Sequence, residues 1–246
     1  QLLAPQARGL ALTEAGRVAF ARADAIFAIG ETLPAQVRDA VSGRVVRLAV
    51  GLSDGLSKLA AHALLGPVLA EPRLRLRCHE DEFEPLLGEL ALHQVDLVLA
   101  GQPAPTQAAR RLSSRRLVAS PVDWWGPRAL VTAARQRAFP HCLAELPVLL
   151  PTDHSVLRHT LDGWFDDLGL APRVAGEFED SALMAVFAAG GLGVFPVSRF
   201  GVADVSLLRG LRRLGGDESV VEEVWAIASS RSLRQPLVER VLAGVG

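Results

Sequence analysis

The sequence predicts an α/β protein, with a long N-terminal helix followed by two lobes of alternating strand and helix joined by two crossovers. Three observations carry this expectation. Apolar residues recur at spacings of three and four after Thr13. Beyond residue 44, short apolar runs alternate with amphipathic stretches, twice over. Gly, Pro, Asp and Ser mark the joints between many of these runs, where caps and turns need them.

Composition narrows the class. The 246 residues suffice for one large domain or two ordinary ones. A chain that is 50% hydrophobic and 22% charged is not disordered. The formal charge of −1, from 26 basic and 27 acidic residues, leaves no electrostatic footprint for nucleic acid in this stretch. Cys78 and Cys142 form neither a disulfide framework nor a zinc set, so a reduced cytoplasm is expected. The start, Gln1-Leu2-Leu3-Ala4-Pro5, has no initiator Met and no signal peptide, and reads as a chain that begins partway through something. The longest uncharged run, Ser181 to Ser198, is broken by Gly190, Gly191, Gly193 and Pro196, so no membrane span is expected.

The elements follow in order. Residues 1–12 read as the ragged start of the first helix. Thr13 is a good N-cap and Glu14 suits the first turn of a helix. Val18, Arg22, Ile26, Ile29 and Leu33 form one stripe of that helix, with Phe20 and Phe27 on a neighbouring stripe. Pro34 is expected to break or kink it, Gln36 to Val41 to resume it, and Ser42-Gly43 to end it. One such helix cannot bury its stripes against itself, so it packs either on the body of its own chain or on a partner helix as a dimerisation element.

Val45 to Gly51 reads as a strand, Leu56 to Leu69 as a helix, and Leu74, Leu76 and Cys78 alternate with arginines as a strand does. Phe83 to His93 is helical and Val95 to Ala100 a strand, completing β-α-β-α-β with parallel strands. In the second half, Ala129 to Thr132 and Pro147 to Leu150 read as strands. Asp153 or Ser155 caps a helix from Val156 to Leu168, which Gly169 closes. Arg173 to Phe178 is a strand, Asp180 or Ser181 caps a helix from Ala182 to Ala189, and Gly193 to Val197 and Glu223 to Ser229 are strands. Gln235 to Val245 is the last helix. The division expected is 1–12, 13–42, a first lobe of 44–119 with 229–246, and a second lobe of 120–228.

Several of these segments resemble LysR-type transcriptional regulators over essentially the whole chain. Leu12-Thr13-Glu14-Ala15-Gly16-Arg17 before a long helix is similar to the end of their winged helix and the start of their linker helix. Asp96-Leu97-Val98-Leu99, Arg173-Val174-Ala175-Gly176-Glu177-Phe178 and Ala188-Ala189-Gly190-Gly191-Leu192-Gly193-Val194 look like their co-inducer-binding region. Residues 86–93 and 176–183 look most like the branch that activates a sodium/proton antiporter gene. The resemblance implies two Rossmann-like lobes of the type 2 periplasmic-binding-protein-like kind. It also implies a small-molecule or ion effector in the cleft between them, and dimers or tetramers formed through the linker helix. DNA would be bound by a winged helix-turn-helix of which residues 1–12 are a remnant. If the chain were the whole protein, it would be a headless regulator acting through mixed oligomers.

Candidate effector residues lie where strands end and helices begin. Ser53-Asp54-Gly55 follows the first strand and can either bind a ligand or merely cap the next helix. Gly101 and Gln102 follow Val95 to Ala100. Thr152, Asp153, His154 and Ser155 follow the second lobe's strand, in the loop that commonly contacts the effector in the family. Glu179 lies in a run with Glu177, Asp180 and Ser181 that offers oxygen ligands to a hard cation, although such runs are mostly solvated.

Other features carry bland readings. Glu80-Asp81-Glu82-Phe83-Glu84 reads as an acidic helix start. Trp124-Trp125 reads as a packed hinge plug or a ligand platform. His154 and His159, five apart, are poorly spaced for a metal. Asp153, His154 and Ser155 are too close on one turn for a catalytic triad. No phosphate loop precedes a helix, and no catalytic residue, metal site or cofactor is expected. A solute-binding protein of the same two-lobed design would carry a signal peptide and lack the long N-terminal helix; an enzyme would show a nucleophile with its base.

Overall fold

The computed structural model describes residues 1–6, 9–42, 45–106, 108, 112–134, 138–200 and 210–244. They fall into two compact units, Gln1–Arg47 with Arg73–Arg75, and Leu48–Pro72 with Leu76–Gly246.

In the first unit, β1 (Leu3–Gln6) and β2 (Gly9–Leu12) form an antiparallel hairpin with Leu3 opposite Leu12. This corrects the ragged helix start read from the sequence. The Leu10-Ala11-Leu12 triplet suits a strand as well as a helix, and the backbone of Leu2 decides. Its carbonyl accepts the Thr13 N–H at 3.0 Å. The same carbonyl lies so near Gly16 that any side chain there would collide with it. The helix α1 (Glu14–Ser42) begins where expected, with the Thr13 hydroxyl accepting the Gly16 N–H at 3.0 Å. Pro34 lies inside α1 and does not break it, because a proline removes one hydrogen bond while the turns on either side keep theirs. Gly43, the expected stop, lies outside the described residues.

A six-stranded sheet in the order β4-β3-β5-β10-β6-β9 carries the rest. Its strands are β3 (Val46–Ser53), β4 (Leu74–Asp81), β5 (Leu97–Ala100), β6 (Leu112–Pro127), β9 (Phe195–Ser198) and β10 (Leu211–Ser229). β3 and β5 are parallel, as expected, with Val50 opposite Leu97. β7 (Pro147–Pro151) and β8 (Arg173–Phe178) form a parallel pair of their own, which a bridge from Val148 to Val194 places beside the approach to β9. The helices α2 (Lys58–Leu69), α3 (Phe83–Ala91), α5 (Val156–Asp167), α6 (Ser181–Ala189) and α7 (Pro236–Ala243) match their expected positions closely. Val245, the expected end of the last helix, lies outside the described residues.

Two differences matter. Ala129 to Thr132 is not a strand; it lies in α4 (Arg128–Ala133). Four residues are too few to define a period, and Leu130 and Ala134, four apart, both pack on one core cluster, as one helical face does. The strand read at Glu223 to Ser229 is the end of β10, which starts at Leu211. Arg212, Arg213, Gly215 and Gly216 look like loop, yet the long partner β6 supplies a hydrogen-bonding edge along their whole length.

β6 and β10 are the crossovers. The first part of β6 pairs with the end of β10, which also pairs with β5; the last part of β6 pairs with β9 and with the start of β10. Their register slips between Asp217 and Val221, opposite Val122 and Pro121.

The cores separate on the two sides of this slip. Leu86, Leu90, Val95, Val98 and Ile227 pack in one cluster. Trp124, Leu143, Leu150, Leu161 and Phe165 pack in another, and Leu149, Met184, Ala188 and Phe195 in a third. Trp124 is 1% exposed and stacks on Trp164 at 6.4 Å, so of the two readings of Trp124-Trp125 the packed plug holds for Trp124.

Asp123, 6% exposed, ties β6 to β10 and to the residue that follows β9. It accepts from Arg213 Nε at 2.6 Å and from Arg199 Nε at 3.0 Å. Asp96 fastens the other end of the sheet by accepting from the Ala49 N–H at 2.9 Å and from Gln235 Nε2 at 2.8 Å. After this point α7 packs on α2, with Arg240 Nη2 donating to the Pro67 carbonyl at 2.6 Å. Among the described residues, no helix is long and apolar enough to cross a membrane.

Candidate functional site

Strand ends and helix starts converge on a cleft of about 530 Å³, a size typical of small-ligand sites. The turn after β3 supplies Ser53, Asp54 and Gly55, and the turn after β5 supplies Gly101 and Gln102. Across from them, His154 and the N-cap Ser155 precede α5, Val156 opens it, and Thr160 follows one turn later. Val221, Glu222 and Glu223 of β10 line the cleft as well.

The two sides nearly touch. Gly55 has φ of +75°, a backbone state that favours glycine, and a Cβ there would sit 3.1 Å from the Ser155 Oγ. A Cβ on Gly101 would come 3.6 Å from the Val156 Cβ. Lys58, at the start of α2, pairs with Glu80 and reaches Asp180 at the start of α6, 3.4 Å away. This is a partly exposed pair and contributes at most about 1 kcal/mol.

The polar groups at the cleft are open for use. Ser155 holds the N-cap position of α5 without a side-chain capping bond, so the first N–H groups of the helix keep their positive potential. The hydroxyls of Ser53 and Ser155 form no hydrogen bond among the described residues, and both residues are buried. The Thr160 hydroxyl is turned inward, donating to the Val156 carbonyl at 3.1 Å. Burial pushes the Asp54 carboxyl above its ordinary value, and the neighbouring charges of Glu80, Glu179, Asp81 and Glu82 push it the same way.

Six of the nine effector candidates read from the sequence therefore meet in one cleft: Ser53, Asp54, Gly101, Gln102, His154 and Ser155. Three stand apart. Thr152 uses its backbone N–H to bond the Phe178 carbonyl at 3.1 Å and does not line the cleft. Asp153 points outward with its side chain 84% exposed. Glu179 lines a side chamber of about 40 Å³, room for a water-sized group and not for an organic ligand. No group of three or more His, Cys, Asp or Glu among the described residues is placed to hold a metal ion.

The sequence reading missed Glu222. This residue lines both the cleft and the chamber, and burial pushes its carboxyl up to about 7. The Oε2 atom is closed to solvent and has no hydrogen-bond partner. Its neighbour Glu223 is already engaged, by Arg116 Nη1 at 2.7 Å and by Trp225 Nε1 at 3.0 Å. The available signal was two consecutive carboxylates inside an apolar strand, Val220-Val221-Glu222-Glu223-Val224. Glu82 and Glu84, read mainly as an acidic helix start and only secondarily as binding residues, also line the cleft, and Glu82 makes no side-chain cap.

On the other unit, Val18, Ile26 and Leu33 of α1 are exposed, as are Phe20 and Phe27. Arg22 is exposed too, whereas the Ile29 side chain lies outside the described residues.

Comparison with known proteins shows the family and the fold. The NhaR transcriptional activator protein of Escherichia coli K12 is 30% identical over 245 residues, covering 98% of this chain and 79% of NhaR. The crystal structure of full-length CbnR with its target DNA, a LysR-family regulator, superposes with a TM-score of 0.69 at 17% identity over 95% of this chain and 81% of CbnR. The Synechocystis CcmR regulatory domain in complex with 2-PG gives 0.62 at 16% identity, over 81% of this chain and 97% of CcmR. The family model described as the LysR substrate binding domain matches residues 43–245. From the first sheet strand to the last helix, then, the chain belongs to the LysR substrate-binding-domain family, and its fold is the two-lobed one of the LysR regulatory domains.

Proposed function

We propose that this chain is the effector-sensing and oligomerisation region of a cytoplasmic LysR-type transcriptional activator, and that its effector binds in the cleft between the turns after β3 and β5 and the start of α5. The observation that carries the reading is the convergence on one cleft of two unbonded hydroxyls, Ser53 and Ser155, with the open N-terminus of a 12-residue helix. These groups belong to opposite sides of the slip in the β6–β10 register, so a ligand bridging them favours one lobe angle over another. The shift it can drive is limited to its differential affinity for the two states, typically about 1–3 kcal/mol.

The exposed stripes of α1 pair with a second copy of the same helix, which gives the apolar residues Val18, Ile26 and Leu33 a partner. DNA is contacted by a winged helix-turn-helix N-terminal to α1, by analogy with full-length CbnR on its target DNA. Changes in lobe angle then alter the spacing of the DNA-binding heads.

Thermal-shift screening with small amines, small carboxylates and alkali salts tests the site. A ligand of the folded form raises the melting temperature, and the Ser53→Ala, Ser155→Ala double variant should need more of it for the same shift. An equal response from both proteins refutes the placement.

A further inference from the structure

Resting on that reading of the cleft, we propose that the effector is a small organic amine, whose ammonium group is held at Glu222 and whose apolar body lies along the cleft.

Charge is the first argument. Among the described residues lining the cleft there is no lysine or arginine. Asp54, Glu82, Glu84 and Glu222 all line it, and none of them has an ion-pair partner among the described residues. Glu223 is the exception, since Arg116 neutralises it. The α5 N-terminus contributes only about half a positive charge. Even with Glu222 partly protonated near pH 7, the unpaired carboxylates of Asp54, Glu82 and Glu84 outweigh it, so an anion meets net repulsion where a cation meets attraction.

Unsatisfied polar atoms at the side chamber, which shares Glu222 with the cleft, form the second, independent argument. Ser198, 4% exposed, has a buried hydroxyl whose polar neighbour is the Glu222 carboxyl, too poorly placed for a proper hydrogen bond, and the buried Glu222 Oε2 has no other partner. Both residues line the side chamber of about 40 Å³. Leaving such atoms unpaired is costly. A primary ammonium is water-sized, carries three N–H donors and fits acceptors of this kind. The basic residue at the chamber, Lys58, is already held by Glu80 and Asp180, and Glu179 adds a further carboxylate there.

Ligand shape is the third argument. Leu56, Phe83, Val156, Leu157 and Val221 line the cleft, and a bare ion leaves this apolar surface and most of the 530 Å³ unfilled. The absence of a converging metal-ligand group among the described residues points the same way.

Calorimetric titration and thermal unfolding with n-butylammonium chloride, sodium butyrate and sodium chloride, at matched ionic strength, test the proposal. Butylammonium should bind and raise the melting temperature. Glu222→Gln should weaken it by about tenfold, the scale of one charge-assisted hydrogen bond, and Ser198→Ala should weaken it less. Gly101→Trp or Thr160→Trp, which fill the cleft, should abolish it; either serves if the other does not fold.

Butyrate binding that these fillers abolish would overturn the amine assignment and leave the cleft as the effector site. Butylammonium binding that survives both fillers would overturn both readings. An equal shift from sodium chloride, no shift with butylammonium, or full affinity in a folded Glu222→Gln protein would each overturn the proposal.

Discussion

Glu222→Gln keeps the size of the side chain and removes its titration, so it isolates the effect of burying that carboxyl. In the folded chain burial raises Glu222 from the ordinary 4.5 to about 7, with the Ser198 hydroxyl pulling weakly in the other direction. A raised carboxyl favours the protonated form in the folded state. Between those two pH values the folded chain therefore holds more proton than the unfolded chain, and stability falls as pH rises. The full penalty above pH 7 is about 3 kcal/mol, at about 1.4 kcal/mol for each pH unit between the two values.

Most of that penalty develops within a measurable window. From about pH 5 to about pH 8 the native protein should lose about 2.5 kcal/mol relative to Glu222→Gln. Urea denaturation of both proteins across this range measures the difference, since other titrating groups largely cancel. Stability curves that stay parallel within about 0.5 kcal/mol would show that Glu222 is solvated in the folded protein, and the reasoning about its burial would fail.

Three further outcomes are expected. Ile26→Asp places a charge on the exposed stripe of α1 and should shift sedimentation towards a smaller species; an unchanged oligomer rules out helix pairing through that stripe. Asp123→Ala leaves Arg199 and Arg213 without their shared carboxylate and should cost about 2–3 kcal/mol in urea denaturation, the lower end for a broken ion pair because both arginines are partly exposed. Burial raises the Asp123 carboxyl, but the Arg213 and Arg199 hydrogen bonds outweigh it and hold the group below its ordinary value. Its stabilisation is thus present above pH 3.8 and lost as pH falls through the depressed value, so the cost of Asp123→Ala should vanish in acid; a cost independent of pH contradicts the pairing.

Much of the architecture was legible in the chain because local chemistry specifies it. Thr13 and Asp180 cap their helices through their own side chains, the latter accepting the Leu183 N–H at 2.6 Å. Gly169, with φ of +62°, closes α5 as its position implied. Arg173 to Phe178 was readable as a strand to the residue. The start of the cleft was readable too, since ligands gather at the carboxyl ends of parallel strands and six candidates there proved to share one cavity.

What escaped the sequence depends on partners far away in the chain. Arg212 to Asp217 becomes strand only because β6, some ninety residues earlier, offers an unpaired edge, as when Arg213 meets Trp125. Glu222 reads as one of many surface carboxylates until the crossover of β6 and β10 carries it to the floor between two chambers. Periodicity, caps and turn residues report on forces acting within a few residues, and those the sequence settles alone. Burial and charge come from whatever the folded chain packs alongside, which made Glu222 and the acidic cleft a decision of the tertiary structure.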